Sequence, residues 1–146
     1  MSACIVAAYW VAFTDRADRV EIADVPGVLW LVASFVFAIG LGLMTWCGVV
    51  NPFLEKTVRI QTDNEHCVVQ TGPYAFVRHP FYVGNIAIIL ATPVMLASAW
   101  THIPCIALVV VLFVRTALED RTLQAELPGY REYAERVRYR LIPGVF

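Results

Sequence analysis

The segment Thr71-Gly72-Pro73-Tyr74-Ala75-Phe76-Val77-Arg78-His79-Pro80-Phe81-Tyr82-Val83-Gly84 sets two prolines, two glycines, two tyrosines, an arginine and a histidine between hydrophobic runs. Each proline fixes its own φ and biases the residue before it away from the helical basin. The Gly72-Pro73 and His79-Pro80 pairs therefore predict a shaped turn that launches a helix near Pro80, with Pro80 in its first turn. A dense polar and aromatic knot beside such apolar chain costs stability unless it binds something.

Outward from this knot the chain is strongly apolar. Of 146 residues, 59% are hydrophobic and 16% charged, against about 25% charged in an ordinary soluble domain. With a mean hydropathy of +0.64 this predicts a membrane protein. Upstream, Gly27 to Val50 runs without a charge, long enough to cross a bilayer, with Trp30 and Trp46 near its ends as interfacial aromatics. Gly40, Gly42, Gly48, Ala33, Ser34 and Ala38 would permit close helix contact. Downstream, Val83 to Trp100 is apolar and broken by Pro93, and Ile103 to Val114 resumes with Pro104 near its first turn. Two apolar segments joined by so short a turn predict a helical hairpin.

From Arg115 the chain becomes charged while keeping helical spacing at Leu118, Leu123 and Leu127. Pro128-Gly129 interrupts it, and Tyr130 to Arg138 predicts another short helix. Met1 to Phe13 is apolar but short of the roughly 20 residues of a full crossing, and lacks the marks of a secretory signal. Thr14 to Pro26 is a polar loop, leaving residues 1–26 the least defined part of a single 146-residue domain. In 51–70, Val58-Arg59-Ile60-Gln61 and Cys67-Val68-Val69 resemble short extended pieces around a Thr62 to Glu65 turn. The expected fold is an all-α integral membrane protein with about four transmembrane helices, including the hairpin in its C-terminal half. Short helices outside the membrane would follow.

The four cysteines, Cys4, Cys47, Cys67 and Cys105, form no C-x-x-C pair, and no metal site is visible. The net charge of −1 and the absence of a basic run interleaved with aromatics give no sign of nucleic acid. Lysine and arginine counts orient the chain. Lys56, Arg59 and Arg78 lie in 51–80, and Arg115, Arg121, Arg131, Arg136, Arg138 and Arg140 in the tail, while the 101–103 turn has none. With four crossings the knot and the tail both face the cytoplasm. Segments 71–84 and 115–143, far apart in sequence, can then meet at the foot of the hairpin.

Ionisable groups at the edge of hydrocarbon are functional candidates. The set is Tyr74, Arg78, His79 and Tyr82 with Arg115, Glu119, Asp120, Tyr130, Tyr133 and Arg140. Arginine offers a planar fork for a carboxylate or phosphate. Glu119 can accept from ribose hydroxyls or face a cation, and tyrosine rings tolerate a positive sulfur. Bland readings exist for most of them: headgroup anchors for Arg78 and the tail arginines, a carbonyl contact at a helix start for His79, a solvated helix face for Glu119 and Asp120, and an interfacial belt for Tyr130 and Tyr133.

Taken in order, Gly72-Pro73-Tyr74, Val77-Arg78-His79-Pro80, Tyr82, Gly84, an apolar hairpin, Glu119-Asp120 with Leu123, Tyr130 with Tyr133, and Arg140-Leu141-Ile142-Pro143 resemble the isoprenylcysteine carboxyl methyltransferase family. That family belongs with the phospholipid N-methyltransferases, and the resemblance covers about residues 40 to 146. It implies an S-adenosylmethionine-dependent membrane enzyme, its cofactor enclosed on the cytosolic side by the Arg-His-Pro turn and the C-terminal helices. A lipid-like or prenylated acceptor would reach it from the bilayer. Carried over residue by residue, the cofactor contacts are Tyr74, His79, Pro80, Tyr82, Gly84, Glu119, Asp120 and Tyr133. Arg78, Glu119 and Arg140 are the catalytic candidates, the arginines holding a carboxylate of the cofactor or the acceptor. Three departures stand out: Glu119-Asp120 replaces two glutamates, Leu127-Pro128-Gly129-Tyr130 is one residue shorter than the family spacing, and Val137 to Leu141 is one longer.

The resemblance implies carboxyl methylation of an isoprenylcysteine-like or other hydrophobic carboxylate. Such an acceptor is already ionised at neutral pH, so catalysis would be chiefly alignment and desolvation. An amine acceptor would instead need a base, His79 or Glu119. The rivals are a phospholipid N-methyltransferase, an NADPH-dependent reductase of the sterol type with a related Arg-His-x-x-Tyr turn, and a non-catalytic helical membrane protein.

Overall fold

The computed structural model describes Trp10, Thr14, residues 25–54 and residues 68–145. Among them the chain is all-helical, with no strand. Helix α1 spans Gly27–Val50, α2 Pro80–Met95, α3 His102–Glu126 and α4 Tyr130–Arg136, and a 3-10 turn covers Gly72–Ala75. Apart from Trp10, Thr14, Val25 and Pro26, the apolar 1–13 stretch and the polar loop after it lie outside the described residues, as do the Val58 to Gln61 piece, the Thr62 to Glu65 turn, Cys4 and Cys67. Val68 and Val69 of the second expected extended piece are described and form no strand.

Helix lengths follow the hydropathy pattern. At about 1.5 Å per residue, the 24 residues of α1 and the 25 of α3 reach about 36 Å, enough for a hydrocarbon core of about 30 Å. Both are apolar enough to cross a membrane, with mean hydropathies of 2.2 and 1.8 over their best windows. The 16 residues of α2 reach only about 24 Å. Of the four spans expected, two thus meet the length. The third is short, and the N-terminal stretch is outside the described residues.

Contacts divide the chain into two compact units, Met1–Leu41 with Asn85–Leu112, and Gly42–Gly84 with Phe113–Phe146. In the first, Ala33, Ala91, Cys105, Leu108 and Leu112 are buried. Pro93 lies inside α2, where it removes a helical hydrogen bond, and the helix ends two residues later. The ending is a Schellman motif: Ser98 N donates to the Pro93 carbonyl at 3.1 Å and Ala97 N to the Val94 carbonyl at 3.1 Å. Ala97 occupies the left-handed position of that motif at φ 51. Thr101, fully buried, then donates its hydroxyl to Ser98 Oγ at 2.8 Å immediately before α3.

The second unit holds the knot and the tail. Helix α1 closes through Asn51, whose N donates to the Cys47 carbonyl and whose Oδ1 accepts from Phe53 N at 3.0 Å. Gly72 takes φ +60, where a Cβ would stand 3.2 Å from Val50 Cγ2 and 3.4 Å from Trp46 Nε1. The 3-10 turn follows with Pro73 at its start. Pro80 opens α2, and the His79 carbonyl accepts from Tyr82 N and Val83 N. Helix α3 carries its charged half without glycine or proline and stops just before Pro128-Gly129. Gly129, at φ 80, turns the chain into α4. Leu127, Tyr130 and Tyr133 form a buried cluster packed by Val68, Leu123, Ala134 and Val137. The tail then docks on the knot through its backbone: Arg78 N donates to the Tyr139 carbonyl and His79 N to the Arg140 carbonyl, each at 2.9 Å.

Candidate active site

Glu119 and Asp120 are neighbours in sequence but sit about 100° apart around α3, and each organises its own group of side chains. The face of Thr116, Asp120 and Gln124, spaced by four residues, turns inward, and Thr116 and Asp120 are fully buried. The face of Arg115 and Glu119 stays half-buried, with side chains 32% and 23% exposed.

Asp120 is a hub. Its Oδ1 lies 2.9 Å from Arg78 Nε, accepts from Tyr130 Oη at 3.0 Å, and lies 3.5 Å from His79 Nε2. Its Oδ2 accepts from Gln124 Nε2 at 2.8 Å, Arg140 Nε at 2.9 Å and Arg78 Nη2 at 3.2 Å. A carboxylate has about four acceptor sites, so the chain's own donors saturate it. A buried carboxylate is costly unless paired; here two guanidiniums match it. Arg78 also donates from Nη1 to the carbonyls of Ala134 at 3.3 Å and Val137 at 3.4 Å. One carboxylate thereby fastens the knot, α4 and the tail onto α3.

Glu119 faces the other way, onto the first turn of α2. Tyr82 Oη donates to Glu119 Oε2 at 2.6 Å and accepts from Arg115 Nε at 2.8 Å. Glu119 Oε1 makes no hydrogen bond among the described residues. The His79 and Tyr82 rings stack at 5.9 Å, which sets the two groups side by side along the start of α2.

The tyrosines form the frame behind them. Tyr133 Oη donates to the Tyr74 carbonyl at 2.7 Å, and the Tyr74 hydroxyl accepts from Asn51 Nδ2 at 3.1 Å. Burial pushes the Tyr74 hydroxyl up to about 12 from its ordinary 10. Burial likewise pushes Tyr130 and Tyr133 upward, Asp120 adding to the effect at Tyr130. All three therefore stand neutral at neutral pH and act as hydrogen-bonding phenols.

The structure thus divides the residues singled out in the sequence. Arg78, His79, Asp120, Tyr130 and Arg140 gather at one point, Tyr82 and Glu119 at a second, and Tyr74 and Tyr133 at a third. Pro80 and Gly84 are buried, in the first and second turns of α2. Asp120 does not lie on a solvated helix face, and Tyr130 and Tyr133 are buried at 4% and 2% exposure rather than spread as an interfacial belt. The carboxylate at Arg78 and Arg140 is the chain's own. Sequence reading gave no role to Gln124 or Asn51. Gln124 carries a usable signal, its spacing of four from Asp120; Asn51 carries none.

Among the described residues no group of three His, Cys, Asp or Glu side chains could hold a metal ion. Cys47 and Cys105 are buried free thiols.

Fold and site define an all-helical protein with long apolar helices and an ionised cluster on the charged end of one of them. The model of the isoprenylcysteine carboxyl methyltransferase family matches residues 31–125, and the chain belongs to that family. The match includes the knot and Glu119-Asp120 but ends before α4 and the tail. Among curated proteins, methanethiol S-methyltransferase 1 of Bradyrhizobium diazoefficiens is 45% identical over 137 residues, covering 81% of this chain and 46% of the relative. The cobalt-zinc-cadmium resistance protein CzcN of Cupriavidus metallidurans is 31% identical over 103 residues, 67% of this chain and 44% of the relative. The chain spans about half the length of these relatives.

Proposed function

We propose that the chain is a membrane methyltransferase that transfers the methyl group of S-adenosylmethionine to an acceptor arriving from the bilayer, and that a small or lipid-like thiol is the favoured acceptor. Family membership favours methyl transfer over the reductase and non-catalytic readings. The observation that carries the site is Glu119: half-buried, held through Oε2, and with no hydrogen bond to Oε1 among the described residues.

The residues suit such a cofactor. Glu119 Oε1 can accept from ribose hydroxyls or face a cationic centre, and the Tyr82 ring lies beside it. His79, just before α2, and Pro80 and Gly84 on it would line the cofactor, with Tyr74 and Tyr133 holding the knot in shape. S-adenosylmethionine supplies an electrophilic methyl group on a cationic sulfur. The chain's part is to hold the acceptor in line with that group and to keep water away, and such positioning supplies several kcal/mol.

The pairing of Asp120 supports the preference for a thiol. Arg78 and Arg140 are both matched by its carboxylate, so the site does not depend on them to hold an acceptor carboxylate. A thiol needs no such clamp: it attacks as its thiolate, its proton passing to water. The new S–CH3 bond forms as the methyl–sulfonium bond of the cofactor breaks and adenosylhomocysteine leaves. The rhizobial relative is named for thiol methylation. A hydrophobic carboxylate remains the second reading, favoured by Arg140, whose side chain is 31% exposed at the edge of the hub. The proposed setting is multi-pass, with the site and the arginine-rich C-terminus on the cytoplasmic side.

The test is transfer of a radiolabelled methyl group by the purified chain to an alkanethiol, a prenylcysteine analogue and phosphatidylethanolamine. A product stable to alkali and formed from the thiol supports the thiol reading. An alkali-labile product from the prenylcysteine analogue would move the assignment to the carboxylate. Absence of both transfer and adenosylhomocysteine binding would remove the methyltransferase reading.

A further inference from the structure

The relay Arg115–Tyr82–Glu119 has a fixed direction. A guanidinium only donates, so the Tyr82 oxygen is the acceptor of the 2.8 Å bond from Arg115 Nε. The single phenolic proton is then committed to Glu119 Oε2, at 2.6 Å. Direct attraction between Arg115 and Glu119 is the weaker link. Arg115 Nε and Glu119 Oε2 are 3.9 Å apart, in the less favourable helical order with the cation N-terminal to the anion.

An arginine paired directly with a glutamate commonly grips both carboxylate oxygens. Here the phenol stands between them, and the two short hydrogen bonds that link Arg115 to Glu119 end on one carboxylate oxygen, Oε2. The Arg115 guanidinium also lies 5.9 Å from the centre of the Tyr82 ring, which restrains the ring itself.

We infer that Arg115 is a positioning residue of the proposed reaction: acting through the Tyr82 hydroxyl, it fixes Glu119 by Oε2 and reserves Oε1 for the cofactor. This rests on the methyltransferase reading of the site. Without Arg115 the phenol has an open lone pair and a rotatable proton, and Glu119 loses its aim. The competing role for an arginine at this point of α3 is a headgroup anchor, which would act independently of Tyr82.

The experiment is a double-mutant cycle on the purified full chain, reading adenosylhomocysteine affinity by calorimetry together with KM and kcat. Arg115→Met is expected to weaken binding about tenfold, the scale of a hydrogen bond within a charged pair, and to raise KM with little change in kcat. In a Tyr82→Phe background the same substitution should change affinity by less than about twofold, because the relay is already cut. An equal effect in both backgrounds, or none in either, overturns the inference. If Arg115→Met does not yield folded protein, Arg115→Lys is measured in the same two backgrounds, since it keeps the anchoring charge but lacks the Nε donor. Glu119→Gln separates the two levels. If it leaves affinity unchanged, the reading of the site fails; if it weakens affinity while Arg115→Met does not, only the relay fails.

Discussion

Arg78 and Asp120, forty-two residues apart, meet at two points, Nε to Oδ1 at 2.9 Å and Nη2 to Oδ2 at 3.2 Å. Asp120 is fully buried and Arg78 nearly so. Removing one member of such a pair leaves a buried charge uncompensated, at about 3–5 kcal/mol. Asp120→Asn is therefore expected to lose stability on this scale, toward the lower end because water can reach Arg140. Glu119→Gln, at a half-buried position where the amide oxygen can still accept from Tyr82, should cost under about 1 kcal/mol while weakening cofactor binding. Thermal unfolding in detergent checks both; equal stability losses would mean that Asp120 is no hub.

The helices were legible because their signals are local. The uncharged run from Gly27 to Val50 gave α1 its observed bounds, His79-Pro80 gave the start of α2, and Pro128-Gly129 the end of α3. Within the site, sequence shows residue types but not which carboxylate meets which cation. Glu119 and Asp120 look alike on the page. Only helix rotation separates them, turning Asp120 fully inward and leaving Glu119 half-buried toward Tyr82. Arg115 stood among the functional candidates, but its bond to Tyr82 was hidden for the same reason, since an arginine at the end of an apolar run reads as a membrane anchor. The tail's backbone bonds to Arg78 and His79 leave no mark in side-chain pattern at all.

Tyr133 ties α4 to the knot through a hydroxyl that donates to the Tyr74 carbonyl at 2.7 Å, and both residues are buried. Tyr133→Phe deletes the donor and leaves the carbonyl unsatisfied, an expected loss of about 1–3 kcal/mol. Because Tyr133 touches the knot and not Glu119, the stability loss should exceed any change in adenosylhomocysteine affinity measured well below the melting temperature. A large affinity loss without destabilisation would place Tyr133 on the ligand instead.

Alkaline stability carries the signature of Tyr74. Its hydroxyl is raised by burial from 10 to about 12, so the folded state favours the neutral phenol. The sign follows from linkage: this contribution is fully present below pH 10 and is lost as pH rises through 12. Tyr74→Phe should accordingly lose less stability than the parent chain across that window, relative to each protein's value at neutral pH. Parallel alkaline unfolding curves for the two proteins would show that Tyr74 does not titrate with unfolding.

Two backbone positions predict opposite signs for exchanging glycine and alanine. Gly72 has φ +60, and an added Cβ would meet Val50 at 3.2 Å and Trp46 at 3.4 Å, so Gly72→Ala combines left-handed strain with crowding. The strain alone is about 1–2 kcal/mol, and the displaced turn carries Tyr74, so binding should weaken with stability. Ala97 already bears that strain at φ 51, in the Schellman position that glycine usually fills. Ala97→Gly relieves it, and the greater freedom of glycine in the unfolded chain offsets part of the gain. The expected net is a stabilisation of about 0.5–1 kcal/mol. Melting temperatures of the two variants test the pair, and a lower value for Ala97→Gly would show that the unfolded-state entropy outweighs the strain released at the end of α2.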